Sequence, residues 1–225
     1  MKRRVHLLLG AAALGGTLAA LAACNAVLGI DPATREPSEG GTTEGGGATD
    51  AGSDAAETLS CASYCSIVMQ NCTGTNQEYL TKDICMNMCP VFELGNGIAD
   101  SLDDTLGCRI WHANAAAEAP QIHCRHAGPL GGDHCGDPCE AFCNLDTSYC
   151  TGANSAYDGG FAGCMGVCNG GTDFSYDVAD AGDLTMSSGD TLNCRLWHLE
   201  SAYESASSAA FHCPHTALVS SMCHN

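Results

Sequence analysis

Positive charge is scarce in this sequence. Eight lysine and arginine residues stand against 26 aspartate and glutamate residues, which gives a formal net charge of −18 at pH 7. Beyond residue 58 the basic residues are Lys82, Arg109, Arg125 and Arg195. Nucleic acid and anionic lipid headgroups are bound by clustered positive charge. The sequence therefore excludes both as partners of the part of the chain that follows residue 58.

Motifs typical of catalysis are also missing. The sequence has no C-x-x-C and no C-x-x-C-H, which excludes a thioredoxin-like active site and a c-type haem attachment. It has no G-x-S-x-G, H-E-x-x-H or P-loop pattern either. Because no nucleophile and no pair of carboxylates lies at a spacing that indicates catalysis, we predict that the protein is not an enzyme.

The N-terminus carries an export signal. A short basic run is followed by an apolar stretch from Leu7 to Ala23, which is typical of a secretory signal. The stretch ends in Leu21-Ala22-Ala23-Cys24, and this resembles the lipobox of bacterial lipoproteins. In that family the cysteine takes a diacylglycerol and its freed amine is acylated, so the resemblance implies a signal peptide at 1–23 and lipidation of Cys24. The alternative is an uncleaved membrane helix, for which seventeen residues is short.

The same resemblance implies a location. Many Gram-negative lipoproteins that stay in the inner membrane have aspartate after the cysteine, and here Asn25 follows Cys24. We therefore expect an exported protein held by its lipid anchor in the outer membrane of a Gram-negative envelope. Residues 24–58 are rich in Gly, Thr, Ser and acidic residues and cannot bury a core, so we predict a disordered linker there.

Large apolar side chains are few in residues 59–225, where Leu, Ile, Val and Phe make up 27 of 167 residues. That share is low for a well-filled core. Cysteine is abundant instead: besides Cys24, the chain has sixteen, all within this range. A dense, even set of cysteines in an exported chain predicts a disulfide framework, in which each bridge stabilises by about 2–4 kcal/mol.

The sixteen cysteines form two matched sets of eight. The phrase DTLGCRIWH at 104–112 returns as DTLNCRLWH at 190–198, and the cysteine spacings repeat with it. We therefore predict two tandem cysteine-rich repeats, at 59–136 and 137–225. Because the join is only Gly136-Asp137-Pro138, we expect the repeats to pack against each other.

Each repeat contains two C-x-x-x-C pairs. Residues i and i+4 share a helix face, so two such helices in an antiparallel hairpin should pair the first cysteine with the last and the second with the third. The spacing resembles that of helical-hairpin proteins with twin C-x-x-x-C motifs. The predicted disulfides are Cys61–Cys89, Cys65–Cys85, Cys139–Cys168 and Cys143–Cys164.

A third helix completes each repeat in this prediction, at about 102–118 and 190–208. The fold expected is thus all-α and disulfide-rich, with about three short helices in each repeat. Helix starts are expected at Asp137, with proline and glutamate behind it, and at a capping box from Thr75 to Glu78. For the remaining cysteines we predict Cys72–Cys108, Cys124–Cys135, Cys150–Cys194 and Cys213–Cys223.

Eight of the nine histidines lie at matched positions in the two repeats, with His134 only roughly matched to His224. One interpretation is structural: the tryptophans fill a small core, the histidines donate to backbone carbonyls, and Arg109 pairs with an acid such as Asp104. The alternative is a zinc or copper site in each repeat, because imidazole suits both ions. The candidate ligands are His112, His123 and His126 in the first repeat, and His198, His212 and His215 in the second.

The sequence favours the structural interpretation. It predicts a lipid-anchored structural or protein-interaction module of the cell envelope, with no cofactor and with another envelope protein as the expected partner. A transition-metal-binding lipoprotein is the alternative, and a small enzyme is a third, with no motif in its favour. Imidazole nitrogens within about 4–5 Å of one another would favour metal, since ligand bonds are near 2 Å.

Overall fold

The computed structural model describes residues 59–99, 101–170, 174 and 184–224. Within these ranges the chain forms eight α-helices and no strand, so the predicted all-α fold is confirmed. Four helices lie in the first repeat: α1 (Cys61–Asn71), α2 (Lys82–Met88), α3 (Leu106–Ala115) and α4 (Pro120–Ala127). Four lie in the second: α5 (Pro138–Tyr149), α6 (Gly160–Gly170), α7 (Leu192–Ala202) and α8 (Ala206–His212). The predicted signal peptide, Cys24 and the linker at 24–58 lie outside the described residues.

Side-chain caps fix where the hairpin helices begin. Asp137 precedes α5 and accepts a hydrogen bond from the backbone N–H of Glu140 at 2.9 Å, as predicted. The capping box predicted at 75–78 is wrong, because α2 begins at Lys82 and Thr81 caps it by accepting from Ile84 N–H at 3.2 Å. Each cap satisfies a backbone donor that the first helical turn leaves open.

Disulfides close both hairpins in the predicted way. Each joins one helix of a C-x-x-x-C pair to the other, with Cα–Cα distances of 5.6–5.8 Å, within the range that an unstrained bridge requires. The confirmed pairs are Cys61–Cys89, Cys65–Cys85, Cys139–Cys168 and Cys143–Cys164. The i, i+4 spacing was sufficient to predict these four bridges.

The other four predicted disulfides are wrong. The prediction joined Cys72–Cys108, Cys124–Cys135, Cys150–Cys194 and Cys213–Cys223. The structure instead joins Cys72–Cys124, Cys108–Cys135, Cys150–Cys213 and Cys194–Cys223. One bridge in each repeat ties the end of the first hairpin helix to α4 or α8. The other ties the start of α3 or α7 to the end of its repeat.

These errors share one physical cause. The third helix predicted at 102–118 ends at Ala115, and a new helix starts at Pro120 after a short turn. The helix predicted at 190–208 is likewise two helices, with a break before Ser205, whose side chain caps α8 by accepting from Ser208 N–H at 3.1 Å. Each repeat therefore has four α-helices, and the cysteine that reaches back to the hairpin lies on the fourth helix in the first repeat and directly after it in the second.

The repeats pack against each other, as expected. Glu200 on α7 accepts a hydrogen bond from Leu80 N–H at 2.9 Å, and the Asn87 side chain donates to the Tyr203 carbonyl at 3.0 Å. Buried apolar side chains from both repeats form one core, among them Tyr64, Val68, Ile110, Phe142, Leu145 and Leu199. Among the described residues, no helix has the length and apolar character needed to span a membrane.

Candidate functional site

The repeated phrase opens α3 and α7 in the same way. Thr105 caps α3 by accepting from Cys108 N–H at 3.2 Å, and Thr191 caps α7 by accepting from Cys194 N–H at 3.0 Å. Both of these cysteines are bridged to the end of their own repeat. The first half of the phrase therefore fixes where the helix starts and ties that start to the rest of the repeat.

The arginine of the repeated phrase is fully buried in both repeats. Arg109 donates to the carbonyls of Gly128 and Pro129, each at 3.2 Å, and forms an ion pair with Asp104 at 2.5 Å. Its guanidinium also lies 4.1 Å from the ring centre of Phe92. Buried charge is tolerated only when it is paired and hydrogen-bonded, and this arginine is both. The predicted pairing of Arg109 with Asp104 is confirmed.

The second repeat reproduces this arrangement. Arg195 donates to the carbonyls of Ala217 and Leu218 at 3.3 and 3.2 Å and pairs with Asp190 at 2.7 Å. It lies 3.9 Å from the ring centre of Phe174. The Asp and Arg of the phrase thus hold α3 and α7 against the segments that follow α4 and α8. Their role in both repeats is structural.

The histidine of the phrase lies at the centre of a ring cluster in the first repeat. His112 is 2% exposed, and its ring centre lies 5.1 Å from that of His123, 4.7 Å from that of His126 and 4.6 Å from that of His134. One nitrogen from each of His112, His126 and His134 lies within 4.8 Å of the other two. The HCxH motif is on α4, which places both of its histidines against α3.

The second repeat contains three of these four rings. His198 is 2% exposed, and its ring centre lies 5.2 Å from that of His212 and 4.8 Å from that of His215. His198 Nε2 also lies 3.3 Å from the Ser187 carbonyl. All six histidines predicted as ligands are thus brought together, three in each repeat.

His134 is the residue of the cluster that the sequence prediction omitted. The sequence feature that could have identified it is its position directly before Cys135. Cys135 is bridged to Cys108, and Cys108 lies four residues before His112. The cysteines of both phrases also lie close to the central histidines. They cannot act as thiolate ligands because they are oxidised in disulfides, so only the imidazoles can hold an ion.

The tryptophans do not fill the core, contrary to the structural interpretation. Trp111 is half-buried, with its ring centre 4.8 Å from that of His112 and 5.7 Å from that of His123. The ring centre of Trp197 lies 4.9 Å from that of His198 and 5.7 Å from that of His212. Each tryptophan therefore covers one side of a histidine pair and limits its contact with water.

Burial also controls the protonation of the clusters. Burial, followed by the neighbouring His112 and His134, lowers the pKa of His126 to about 4. Burial, followed by His215 and His212, lowers the pKa of His198 to about 4. At neutral pH these imidazoles are uncharged, which is the form that binds metal ions.

The described part of the chain is thus a cysteine-rich, disulfide-bonded, all-α module with a histidine cluster in each repeat. Residues 34–138, which contain the first repeat, match the BfoA family C-terminal domain. Bifonsecin B biosynthesis cluster protein A of Aspergillus brasiliensis is 33% identical over 98 residues, covering 40% of this chain and 31% of that protein.

Two further relatives come from different sources. Aurasperone B biosynthesis cluster protein A of Aspergillus niger is 35% identical over 86 residues, covering 35% of this chain and 26% of that protein. An EGF-like domain-containing protein of Acanthamoeba polyphaga mimivirus is 32% identical over 107 residues, covering 40% of this chain and 19% of that protein. The chain therefore spans less than a third of each of these curated relatives. No solved structure matches it.

Proposed function

We propose that this protein is an exported, lipid-anchored module that binds a divalent transition-metal ion through its clustered histidines. The observation that carries the proposal is the convergence of His126 and His134 on His112, with one nitrogen of each within 4.8 Å of the others. This separation of the nitrogens meets the distance expected of a metal site. We therefore prefer the metal-binding interpretation of the histidines to the structural one. Uncharged imidazoles favour zinc and copper over calcium or magnesium, which prefer oxygen ligands.

Metal content and metal-dependent stability test this proposal. We expect the purified, non-reduced protein to bind Zn²⁺ or Cu²⁺ and to melt about 5–10 °C higher with metal at about 100 times its dissociation constant. The shift follows because the folded chain holds the imidazoles together and the unfolded chain does not. Ca²⁺ and Mg²⁺ serve as controls and should leave the melting temperature unchanged. A protein that holds no zinc or copper and whose melting temperature ignores both ions would contradict the proposal.

The second candidate function is a protein-interaction module. The observation in its favour is a group of exposed apolar side chains near the end of the second repeat, which consists of Phe211, Leu218, Val219 and Met222. Val219 is 89% exposed. A photo-crosslinking amino acid at position 219 should give one defined adduct with an envelope protein in living cells, and the same probe at exposed Glu118 should give none. Equal, diffuse labelling from both positions would argue against this candidate.

The lipid anchor is a proposal from residues 1–24 alone, since the relatives reported above are fungal and viral. In a Gram-negative host we expect the mature chain to begin at Cys24, to carry acyl chains and to sediment with outer-membrane vesicles. Cys24→Ser should abolish acylation and remove the protein from the outer-membrane fraction, because serine has no thiol to take the diacylglycerol and no acyl chain remains to hold the protein there. Mass spectrometry of the N-terminal peptide checks this. An unacylated wild-type N-terminus would exclude the anchor.

The role proposed here is binding and not catalysis. A binding role agrees with the absence of catalytic motifs from the sequence. In this role the Asp–Arg pairs and the disulfides hold the histidines in place.

A further inference from the structure

The two histidine clusters differ at one position. His134 precedes Cys135, and Met222 precedes Cys223, and these two cysteines form equivalent disulfides with Cys108 and Cys194. Methionine therefore stands in the second repeat where the first repeat has the ring that completes its cluster. Among the described residues, three histidines gather to within 4.8 Å in the first repeat only.

The backbone before His134 explains how that ring reaches the cluster. Gly131, Gly132 and Asp133 have φ values of 69°, 53° and 61°, a left-handed run that favours glycine. A Cβ on Gly132 would lie 2.7 Å from the Arg125 carbonyl oxygen. The turn therefore lies directly on α4 and stacks His134 on His126, with ring centres 4.9 Å apart and planes 20° apart.

The second repeat lacks this turn. Val219, Ser220 and Ser221 occupy the matching positions, and the Ser220 hydroxyl accepts hydrogen bonds from Met222 N–H and Cys223 N–H at 3.1 and 2.9 Å. A hydroxyl cap thus replaces the left-handed run.

His123 serves the first cluster in a different way from the other three rings. Its Nδ1 lies 2.9 Å from Nδ1 of His112, so one of the two nitrogens donates a hydrogen bond to the other. A metal-bound histidine usually donates its second ring nitrogen to a fixed acceptor, which sets the ring's orientation. With Nδ1 of His112 donating to His123, an ion would be bound by Nε2 of His112. His123 is a positioning residue in this arrangement.

We infer, on the basis of the proposed function, that the chain binds one divalent transition-metal ion, in the first repeat, through His112, His126 and His134. Three imidazoles leave further coordination positions for water or an external ligand. The three nitrogens need to approach from within 4.8 Å to about 3.3 Å, the separation set by bonds near 2 Å in a tetrahedral site. Rotation of the half-buried His126 and His134 rings about their side-chain bonds supplies that movement. The second repeat has His198 and His215 in the places of His112 and His126, but it has no ring in the place of His134.

The experiment is a calorimetric titration of the full-length, non-reduced protein with ZnCl₂ and, separately, CuCl₂. We expect one equivalent for the wild type. His134→Met copies the second repeat into the first and should weaken binding at least about 100-fold, beyond the usual effect of losing an outer-shell partner. Val219→Gly, Ser220→Gly, Ser221→Asp and Met222→His together copy the turn and its ring from the first repeat into the second and should add a second equivalent. His224→Ala removes an exposed histidine that the inference does not use and should leave one equivalent.

The outcomes separate this inference from the proposed function. Two equivalents for the wild type, or full affinity in His134→Met, would overturn the inference while metal binding itself stood. No binding by the wild type would overturn both. A gain of binding in the variant with the four changes at 219–222 cannot come from misfolding, so it supports the inference even if His134→Met proved unstable. Circular dichroism and a count of free thiols check that each variant keeps its helices and its eight disulfides.

Discussion

Arg109→Met is expected to lower the free energy of unfolding by about 3–5 kcal/mol, the usual result of removing one partner of a buried ion pair. Methionine fills much of the same space but leaves the Asp104 carboxylate without its cation. It also leaves the carbonyls of Gly128 and Pro129 without the donors that they now have. The measurement is guanidinium unfolding of the oxidised protein, followed by circular dichroism.

The chain offers two matched comparisons for this variant. Arg195→Met removes the same set of contacts in the second repeat and should destabilise by a similar amount. Arg125→Met removes a half-buried arginine of the same repeat and should change the free energy of unfolding by about 1 kcal/mol or less. If Arg109→Met were as stable as Arg125→Met, the phrase would not have the structural role assigned to its arginine.

The hairpins were predictable from the sequence because their disulfides depend on local geometry. Cys61 and Cys65 must lie on one helix face, and an antiparallel partner with the same spacing leaves one consistent pairing. The Asp137 cap was predictable for the same reason, since it contacts a residue three positions away. Interactions within one hairpin or one turn are set by spacing alone.

The remaining disulfides were not predictable in this way because they depend on where α3 stops. The predicted third helix ran to 118, across alanines at 115–117 that favour a continuing helix. The structure turns there instead, and α4 begins with proline at its first position, a known start signal that the prediction did not use. Once α4 exists, Cys124 lies near Cys72, and Cys108 is left for Cys135.

The candidate site was predictable in its residue types but not in its full membership. Matched positions identified the six histidines that the structure gathers into two clusters. They could not show that His134 joins the first cluster, because that contact depends on the left-handed turn at 131–133 packing on α4. The two glycines there were the available signal, since the second repeat has Val219 and Ser220 in their places.

A buried carboxyl group at the contact between the repeats makes the stability depend on pH. Glu78 is 3% exposed and packs against Gly128, where a Cβ would lie 2.0 Å from its Oε2. Burial raises the pKa of Glu78 from 4.5 to about 8. Burial likewise raises the pKa of the neighbouring Glu200, whose Oε2 accepts from Leu80 N–H. The Glu78 carboxyl is thus protonated in the folded protein at neutral pH.

The sign of the effect follows from these directions. Well below pH 4.5, Glu78 is neutral in both the folded and the unfolded chain, so its ionisation does not reduce the stability. As the pH rises towards 8, Glu78 loses its proton in the unfolded chain and keeps it in the folded chain. The free energy of unfolding is therefore lower at pH 8 by about 4 kcal/mol. Glu78→Gln removes this loss, although its amide must find new partners at a cost of about 1–3 kcal/mol.

We therefore expect Glu78→Gln to be less stable than the wild type at pH 4 and more stable by about 2 kcal/mol at pH 8. Unfolding both proteins across this range and taking the difference removes the contributions of the titrating groups that do not interact with Glu78. Glu200→Gln should change in the same direction, because its amide oxygen can keep the bond from Leu80 while its nitrogen replaces Oε1, which has no partner now. Glu118→Gln, on the exposed surface, should follow the wild type. A constant difference between Glu78→Gln and the wild type from pH 4 to pH 8 would mean that the Glu78 carboxyl ionises inside the folded protein as readily as outside it.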